Sequence, residues 1–269
     1  MVAVIAVFGT LIGSFLNVVV YRVPAGLSLV RPASACPTCG GRIRPYDNIP
    51  VISWLVLGGR CRDCRARISI RYPMVELGTA VLFAVVAYAF LGPLHMADRP
   101  PVAEALELFA YLWLAAVSIA LALIDVETHR LPDRIVIPTF VVMAALFTAS
   151  AAVEGDFGRL LSALVGAAAL FAFYLLLALV RPGGMGMGDV KLAAVVGLAL
   201  GWSGWAALAV GAFAAFLLGG LFGVVLLASR RVRRGGGIPF GPWMLAGAWI
   251  GILFGAAVAA SYLTVIGVR

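Results

Sequence analysis

The chain has 269 residues, of which 63% are hydrophobic and 12% charged, and its formal net charge is +8. Soluble domains are about half apolar and about a quarter charged. Together with a mean hydropathy of +1.07, this composition excludes an ordinary soluble enzyme, a disordered chain and a nucleic-acid-binding domain. Basic residues in an apolar chain gather in cytoplasmic loops beside a membrane, so the positive charge fits an integral membrane protein with no nucleic-acid partner.

Eight apolar runs approach the length of about 20 residues that a membrane-spanning helix needs. The segment 189–228 is divided into two spans because Gly201, Trp202, Ser203 and Gly204 favour a turn. The first run has no charge before it and no clear cleavage site, so it predicts a retained span. The eight predicted spans are 2–21, 73–91, 104–124, 135–153, 159–180, 189–202, 204–228 and 242–265.

This pattern predicts an all-α membrane protein of about eight transmembrane helices. We expect the first helix over 1–21, a small cytoplasmic domain over 22–72, and a membrane core of about seven helices over 73–269. The orientation follows from Lys and Arg, because the segments 22–72, 125–134, 181–191 and 229–241 hold 17 of the 20 basic residues. These segments are then cytoplasmic, and both chain ends lie outside.

The segment 22–72 contains every cysteine of the chain, in two C-x2-C pairs separated by 21 residues. Four thiolates at this spacing complete a closed, tetrahedral structural zinc site, which has no open position for catalysis. Two disulfides are the alternative, but nine arginines place the segment in the reducing cytoplasm. The predicted zinc ligands are Cys36, Cys39, Cys61 and Cys64.

Between the two cysteine pairs lies an apolar stretch, 47–54. It has two interpretations: it packs the small domain onto the membrane or the helix bundle, or it binds a ligand. The nine arginines of the same domain are most simply a surface for anionic lipid headgroups. Membrane lipids are therefore predicted partners.

Two aspartates stand at the cytoplasmic edge of predicted spans. Asp125 follows the apolar run 118–124, and Asp189 follows the glycine-rich run 183–188. Carboxylates at the edge of a span are costly and are functional candidates. The topology places both at one depth, as an aspartic protease requires: one carboxylate takes a proton from water while the other, protonated, polarises the scissile carbonyl.

Structural roles are open for each of these aspartates taken singly. Asp189 suits the N-cap of its helix, with Lys191 as a nearby partner or a residue that reaches the headgroups. Asp125 suits a loop-edge carboxylate paired with Arg130 or Arg134. Asp133 competes with Asp125 for the catalytic role, but its position after Leu131 and Pro132 and before a new span favours capping.

The motifs along the whole chain resemble those of bacterial prepilin leader peptidases, which belong to the G-x-G-D intramembrane aspartic proteases. The G-x-G-D motif is read at 186–189 and continues into Val190, Lys191 and Leu192. Further matching motifs occur in the same order at 13–22, 36–39, 47–50, 59–64, 68–73, 125 with 131–133, and 239–242.

The resemblance implies an enzyme that removes the short basic leader of type IV prepilins and pseudopilins at the cytoplasmic face of the inner membrane. It places the catalytic aspartates at Asp125 and Asp189. The four-cysteine domain implies the bifunctional branch, which then methylates the new N-terminus with S-adenosyl-L-methionine. Residues expected near that cofactor are Asp47, Asn48, Gly59 and Glu76.

Two other classes of protein use parts of the same pattern. A proton-coupled transporter would use the carboxylates as a relay, but it needs ionisable groups near the bilayer midplane. A membrane scaffold would use the zinc domain to hold a partner and leaves the two aspartates without a role.

Overall fold

The computed structural model describes residues 1–91, 99–181, 184–229 and 239–267, and the regular secondary structure of these residues is almost entirely helical, as the predicted fold class requires. The predicted basic segment 229–241 falls largely on residues 230–238, which lie outside the described residues. The helices are α1 Val2–Arg22, α2 Ile52–Val56, α3 Arg71–Leu91, α4 Pro101–Thr128, α5 Asp133–Glu154, α6 Phe157–Val180, α7 Met187–Ser203, α8 Trp205–Ala228 and α9 Gly241–Val265.

Among the described residues, seven helices are long and apolar enough to cross a membrane: α1, α3, α4, α5, α6, α8 and α9. Helix α7 has 17 residues, or about 26 Å at about 1.5 Å per residue, slightly less than the ~30 Å hydrocarbon core. It corresponds to the sixth predicted span, so each predicted run contains a helix. The chain is a multi-pass membrane protein.

Helix ends differ from the predicted spans where polar residues continue a helix. Helix α4 runs to Thr128, four residues beyond the predicted end at residue 124. Helical hydrogen bonds do not stop where hydropathy falls, and His129 ends the helix in a left-handed conformation. Between α7 and α8 the chain turns at Gly204, whose φ of +116° favours glycine.

The chain divides into two compact units, residues 1–96 with 115–120 and residues 97–114 with 121–269. In the first unit α1 packs closely along α3. A Cβ atom on Gly13 would lie 2.6 Å from the Cα of Glu76, and one on Gly9 would lie 2.9 Å from the Cα of Ala80. The two glycines, four residues apart on one face of α1, therefore allow the helix backbones to meet.

In the second unit α7 is the most enclosed helix, and Val190, Leu192 and Leu198 on it are fully buried. Glycines again allow the approach, because a Cβ atom on Gly201 would collide with the backbone of α6 at Ser162. An apolar helix with no polar face needs such enclosure. The start of α7, which carries Asp189, is thereby anchored by the rest of its length.

A buried ion-pair network ties the other end of the second unit together. Glu107 is 3% exposed and accepts from Arg99 at 2.6 Å and from Arg159 at 3.0 Å. Both guanidiniums also reach Glu154, and Arg159 lies over the Trp202 ring at 4.4 Å. The network joins α4, α5, α6 and the chain before α4, about 27 Å along α4 from Asp125.

Replacing Glu107 by Gln is expected to destabilise the second unit by about 3 kcal/mol, because the buried carboxylate is lost and two half-buried guanidiniums would then share Glu154. Thermal unfolding in detergent would measure the loss. Glu104→Gln, the same change on the more exposed Glu104 of the same helix, is the matched control. Equal melting temperatures for the two variants would contradict a stabilising role for the network.

Candidate active site and metal centre

Asp125 lies in the last turn of α4, and only 4% of it is exposed. Its Oδ2 accepts a hydrogen bond of 2.9 Å from the backbone N–H of Gly241, the first residue of α9. A buried carboxylate at a helix N-terminus is held by the free N–H groups and by the helix dipole. The position of Asp125 within a helix does not match a loop-edge carboxylate.

Asp189 is the third residue of α7 and is half-buried. Its Oδ2 accepts a hydrogen bond of 3.2 Å from the backbone N–H of Gly186, the N-cap residue. Asp189 therefore caps the helix from its third residue, by accepting from the amide of the N-cap residue, and is not itself the N-cap residue. Each aspartate is thus fixed by a backbone amide at a helix N-terminus.

Leu131 packs between the start of α7, which carries Asp189, and the start of α9, whose first amide holds Asp125. A Cβ atom on Gly188, the neighbour of Asp189, would lie 2.9 Å from the Leu131 Cβ. One on Gly241, the partner of Asp125, would lie 3.3 Å from the Leu131 Cδ2. Leu131 thus lies against both the neighbour of Asp189 and the hydrogen-bond partner of Asp125, so the structure brings Asp125 and Asp189 into one region of the second unit.

The neighbouring charged residues are paired differently from the sequence expectation. Lys191 donates to Asp133 at 2.7 and 2.8 Å rather than to Asp189. Asp133 is the first residue of α5 and is exposed, with Lys191 on one side of it. This ion pair links the start of α5 to the start of α7. It also engages the carboxylate of Asp133, the alternative candidate to Asp125 for the catalytic role.

The four predicted cysteine ligands form one cluster. Their sulfur atoms lie within 4.8 Å of one another, and the Sγ atoms of Cys36 and Cys64 are 3.8 Å apart. Among the residues that the structure describes, this is the one group of histidine, cysteine or carboxylate residues that could hold a metal ion. The spacing prediction is confirmed to that extent: the cluster could bind a metal.

The two cysteine pairs are built as equivalent turns. Cys36 N–H donates to Gly41 O, and Cys61 N–H donates to Ala66 O; isolated bridges flank both turns, at 35 with 42 and at 60 with 67. The residue that follows the second cysteine of each pair has a positive φ, +69° at Gly40 and +60° at Arg65. The sequence shows no convincing internal repeat, yet this local turn occurs twice.

Three of the four residues expected near a cofactor line one cavity of about 120 Å³ in the first unit: Asp47, Asn48 and Glu76. Glu76 is buried and accepts a 2.7 Å hydrogen bond from the Val51 N–H. Gly59 is not in this lining. It has a φ of +65° and lies against the Trp54 ring, from which a Cβ atom would be only 2.8 Å away. The close packing of Trp54 against the backbone therefore explains why this residue is glycine.

The apolar stretch 47–54 is held by hydrogen bonds within the first unit. Ser53 donates to the Tyr46 carbonyl at 2.9 Å, the Trp54 indole donates to the Ile68 carbonyl at 3.2 Å, and Val51 is bonded to Glu76 of α3. It thus packs on its own domain and on α3. Further along, Leu55 and Val56 of α2 stay exposed.

A second cavity in the same unit is larger, about 330 Å³, and adjoins the cysteine turns. Asp47 lines both cavities. In the larger one it faces Arg62, whose Nε donates to Asp47 Oδ2 at 2.8 Å. The hydrogen bonds from this guanidinium hold the pKa of the Asp47 carboxyl below its ordinary value.

Sequence reasoning singled out neither Gly241 nor Leu131 as a site residue. The motif that includes both Pro239 and Gly241 was one of those that matched the family. A glycine between two bulky or rigid neighbours at the start of a span is a signal for close approach. The partner that approaches it, Asp125, is 116 residues away and is visible only in the structure.

Comparison with known proteins finds two family models that match the chain. Residues 7–90 match the bacterial peptidase A24 N-terminal domain, and residues 112–227 match the type IV leader peptidase family.

Relatives named prepilin leader peptidase/N-methyltransferase occur in Pseudomonas putida and Pseudomonas aeruginosa, each 37% identical over 97% of this chain and 93% of the relative. One from Bacillus subtilis is 33% identical over 98% of both. No solved structure matches the chain. None of these names indicates a transporter. The chain therefore belongs to the type IV leader peptidase family.

Proposed function

We propose that this protein removes the leader of prepilins or pseudopilins as a membrane aspartic endopeptidase and then methylates the new N-terminus. The observation that carries the peptidase is the pair of carboxylates, Asp125 and Asp189, each bonded to a backbone amide at a helix N-terminus of the same unit. The relatives' names, which join the two activities, support the methyl transfer.

In the proposed reaction one aspartate is ionised and the other protonated, because two neighbouring carboxyls do not both ionise easily. The ionised carboxylate takes a proton from water, and the resulting nucleophile attacks the scissile carbonyl. The protonated carboxyl donates a hydrogen bond to the carbonyl oxygen and stabilises the charge that develops there. The carbon–nitrogen bond of the tetrahedral adduct then breaks, and the aspartate that took the proton from water gives it to the leaving amine. Holding one oxygen of each aspartate with an amide leaves the other oxygen for water or substrate.

The same proposal places the active site at the cytoplasmic face of the bacterial inner membrane. The support is the distribution of charge, since 17 of the 20 basic residues fall in the segments assigned to that side. The arginines of the small domain, such as the exposed Arg31 and Arg60, suit contact with anionic headgroups. Prepilin substrates and membrane lipids are the proposed partners.

Zinc is the metal that we propose for the four cysteines. Four thiolates at about 2.3 Å from a central ion stand about 3.8 Å apart at the corners of a tetrahedron. The Cys36–Cys64 sulfur distance of 3.8 Å fits this geometry. A closed four-thiolate site stabilises the fold of segment 22–72 and takes no part in either reaction.

S-adenosyl-L-methionine is the proposed methyl donor, bound in the first unit. The residues there offer a carboxylate at Asp47, guanidiniums at Arg42 and Arg62, and an aromatic ring at Tyr72, all lining one cavity. These groups fit the ammonium, carboxylate and adenine of such a donor. When bound, the donor supplies an electrophilic methyl group for the new N-terminal amine.

Purified protein in lipid nanodiscs tests the proposal. It would be mixed with a model prepilin that carries a Gly-Phe junction after a basic leader, and the products would be read by mass spectrometry. We expect loss of the leader and, with the methyl donor added, a gain of one methyl group. A folded protein that leaves the substrate intact would contradict the peptidase. Proton-coupled uptake in proteoliposomes would instead support a transporter.

Gly241→Ala is expected to reduce leader cleavage by about 100-fold, because small displacements of a catalytic group are costly. The added Cβ would lie 2.8 Å from Asp125 Oδ2, so the carboxylate must move. Steady-state cleavage rates would measure the effect. Gly220→Ala on α8, where a Cβ meets nothing within 4 Å, is the matched control. Similar rates for both variants would refute the positioning role.

A further inference from the structure

We propose that the methyl donor binds in the larger of the two cavities that Asp47 lines, beside the cysteine turns, and not in the smaller cavity that Asn48 and Glu76 also line. The site is bounded by Arg42, Ile43, Asp47, Arg62, Arg67 and Tyr72. This inference rests on the proposed methyl transfer and names the chain's own residues that recognise the donor.

Size separates the two cavities. The larger cavity holds about 330 Å³ and the smaller about 120 Å³. Cavities that bind ligands of this mass usually hold about 300–1,000 Å³. A nucleoside joined to an amino acid therefore fits the larger cavity, whereas the smaller one holds only a few water molecules.

The lining of the larger cavity matches the three chemical parts of the donor. Ile43, Leu57 and Ile68 form an apolar wall with the Tyr72 ring beside it, which suits a planar adenine. Arg42 and Arg67 supply positive charge for the carboxylate of the methionine part.

Asp47 gives this cavity a fixed carboxylate acceptor, paired with Arg62. Its side chain is 9% exposed and is held by Arg62 through both carboxylate oxygens. The low pKa of Asp47 keeps it ionised at neutral pH. An ionised, rigidly held carboxylate suits the ribose hydroxyls or the ammonium of the donor, since each carboxylate oxygen accepts more than one hydrogen bond.

The same geometry links metal binding to methyl transfer. Cys36 and Cys61, one from each cysteine turn, line the larger cavity, but no cysteine lines the smaller one as the structure describes it. Cys36 and Cys61 would hold the metal, and fixing these two turns would also fix one wall of the proposed site. The loss of a cysteine should weaken donor binding even though no cysteine reacts with the donor.

Two tryptophan substitutions test the assignment in zinc-loaded, full-length protein. Ile43 lines only the larger cavity of the two and Ile49 only the smaller one, and their exposed fractions are similar, 37% and 46%. Binding of tritiated S-adenosyl-L-methionine would be measured by equilibrium dialysis for wild type, Ile43→Trp and Ile49→Trp. Zinc content and circular dichroism would verify that each variant is folded.

We expect Ile43→Trp to raise the donor Kd by about tenfold or more and Ile49→Trp to change it by less than about threefold. The reverse order, or equal effects of the two substitutions, would overturn the larger cavity as the site while methyl transfer by wild type still stands. Wild-type protein that cleaves leaders but does not bind the donor would overturn both this inference and the proposed methyl transfer.

Discussion

Asp125→Asn and Asp189→Asn should each abolish leader cleavage, with rates at least on the order of 10³-fold below wild type. Proton transfer by a placed side chain contributes about 10²–10⁴-fold to a rate, and an amide neither takes a proton from water nor supplies an acidic one. Both variants should fold, because the asparagine carbonyl can still accept from Gly241 or from Gly186. Cleavage of a model prepilin in nanodiscs would measure the loss.

Asp133→Asn is the matched control for these variants. It makes the same chemical change on an exposed aspartate that is paired with Lys191, so cleavage should remain within several-fold of wild type, as expected for an exposed ion pair. Near-normal cleavage by Asp125→Asn together with an inactive Asp133→Asn would transfer the catalytic role to Asp133. Methylation of a pre-cleaved peptide should persist in all three variants.

Replacing any one of the four cysteines by serine should unfold segment 22–72. Structural zinc contributes about 10–16 kcal/mol of binding free energy in small domains of this kind. A segment of about 50 residues buries too little apolar surface to fold without it. We expect zinc to fall well below one per chain and trypsin to cut at the arginines of this segment, whereas leader cleavage should decline less than methyl transfer.

Cys39→Ser and Cys39→His distinguish loss of the metal from other damage at this exposed position. Histidine replaces cysteine in many tetrahedral zinc sites, so the histidine variant should recover zinc and protease resistance. Thr38→Ser, a change in the same turn at a residue that is not a ligand, should behave as wild type. A serine variant that keeps one zinc per chain and resists trypsin would contradict a four-cysteine site.

The helices were largely predictable because each is an apolar run, and a backbone in lipid must satisfy its own hydrogen bonds. The spans predicted over 73–91 and 135–153 correspond to α3 at Arg71–Leu91 and α5 at Asp133–Glu154. The prediction was less accurate at α4, since hydropathy ends at Asp125 while helical hydrogen bonding continues to Thr128. Hydropathy locates a span but not the last turn of its helix.

The candidate site was only partly predictable. Topology allowed Asp125 and Asp189 to be matched in depth, because both stand at the same edge of the predicted spans. It did not indicate that Lys191 would form its ion pair with Asp133 and not with Asp189. It also did not indicate that a backbone amide from α9 would hold Asp125, since such contacts depend on how distant helices pack.

Patterns local to the chain were enough to predict the class of protein, its helices, two candidate aspartates and a metal-type spacing of cysteines. Only the folded structure shows that the four sulfur atoms lie together and that Gly59 allows the Trp54 ring to approach the backbone closely. It also decided that Asp47 borders two cavities of different size. Cavity size and hydrogen-bond partners depend on segments far apart in the chain, whose contacts are set by three-dimensional packing and not by local pattern.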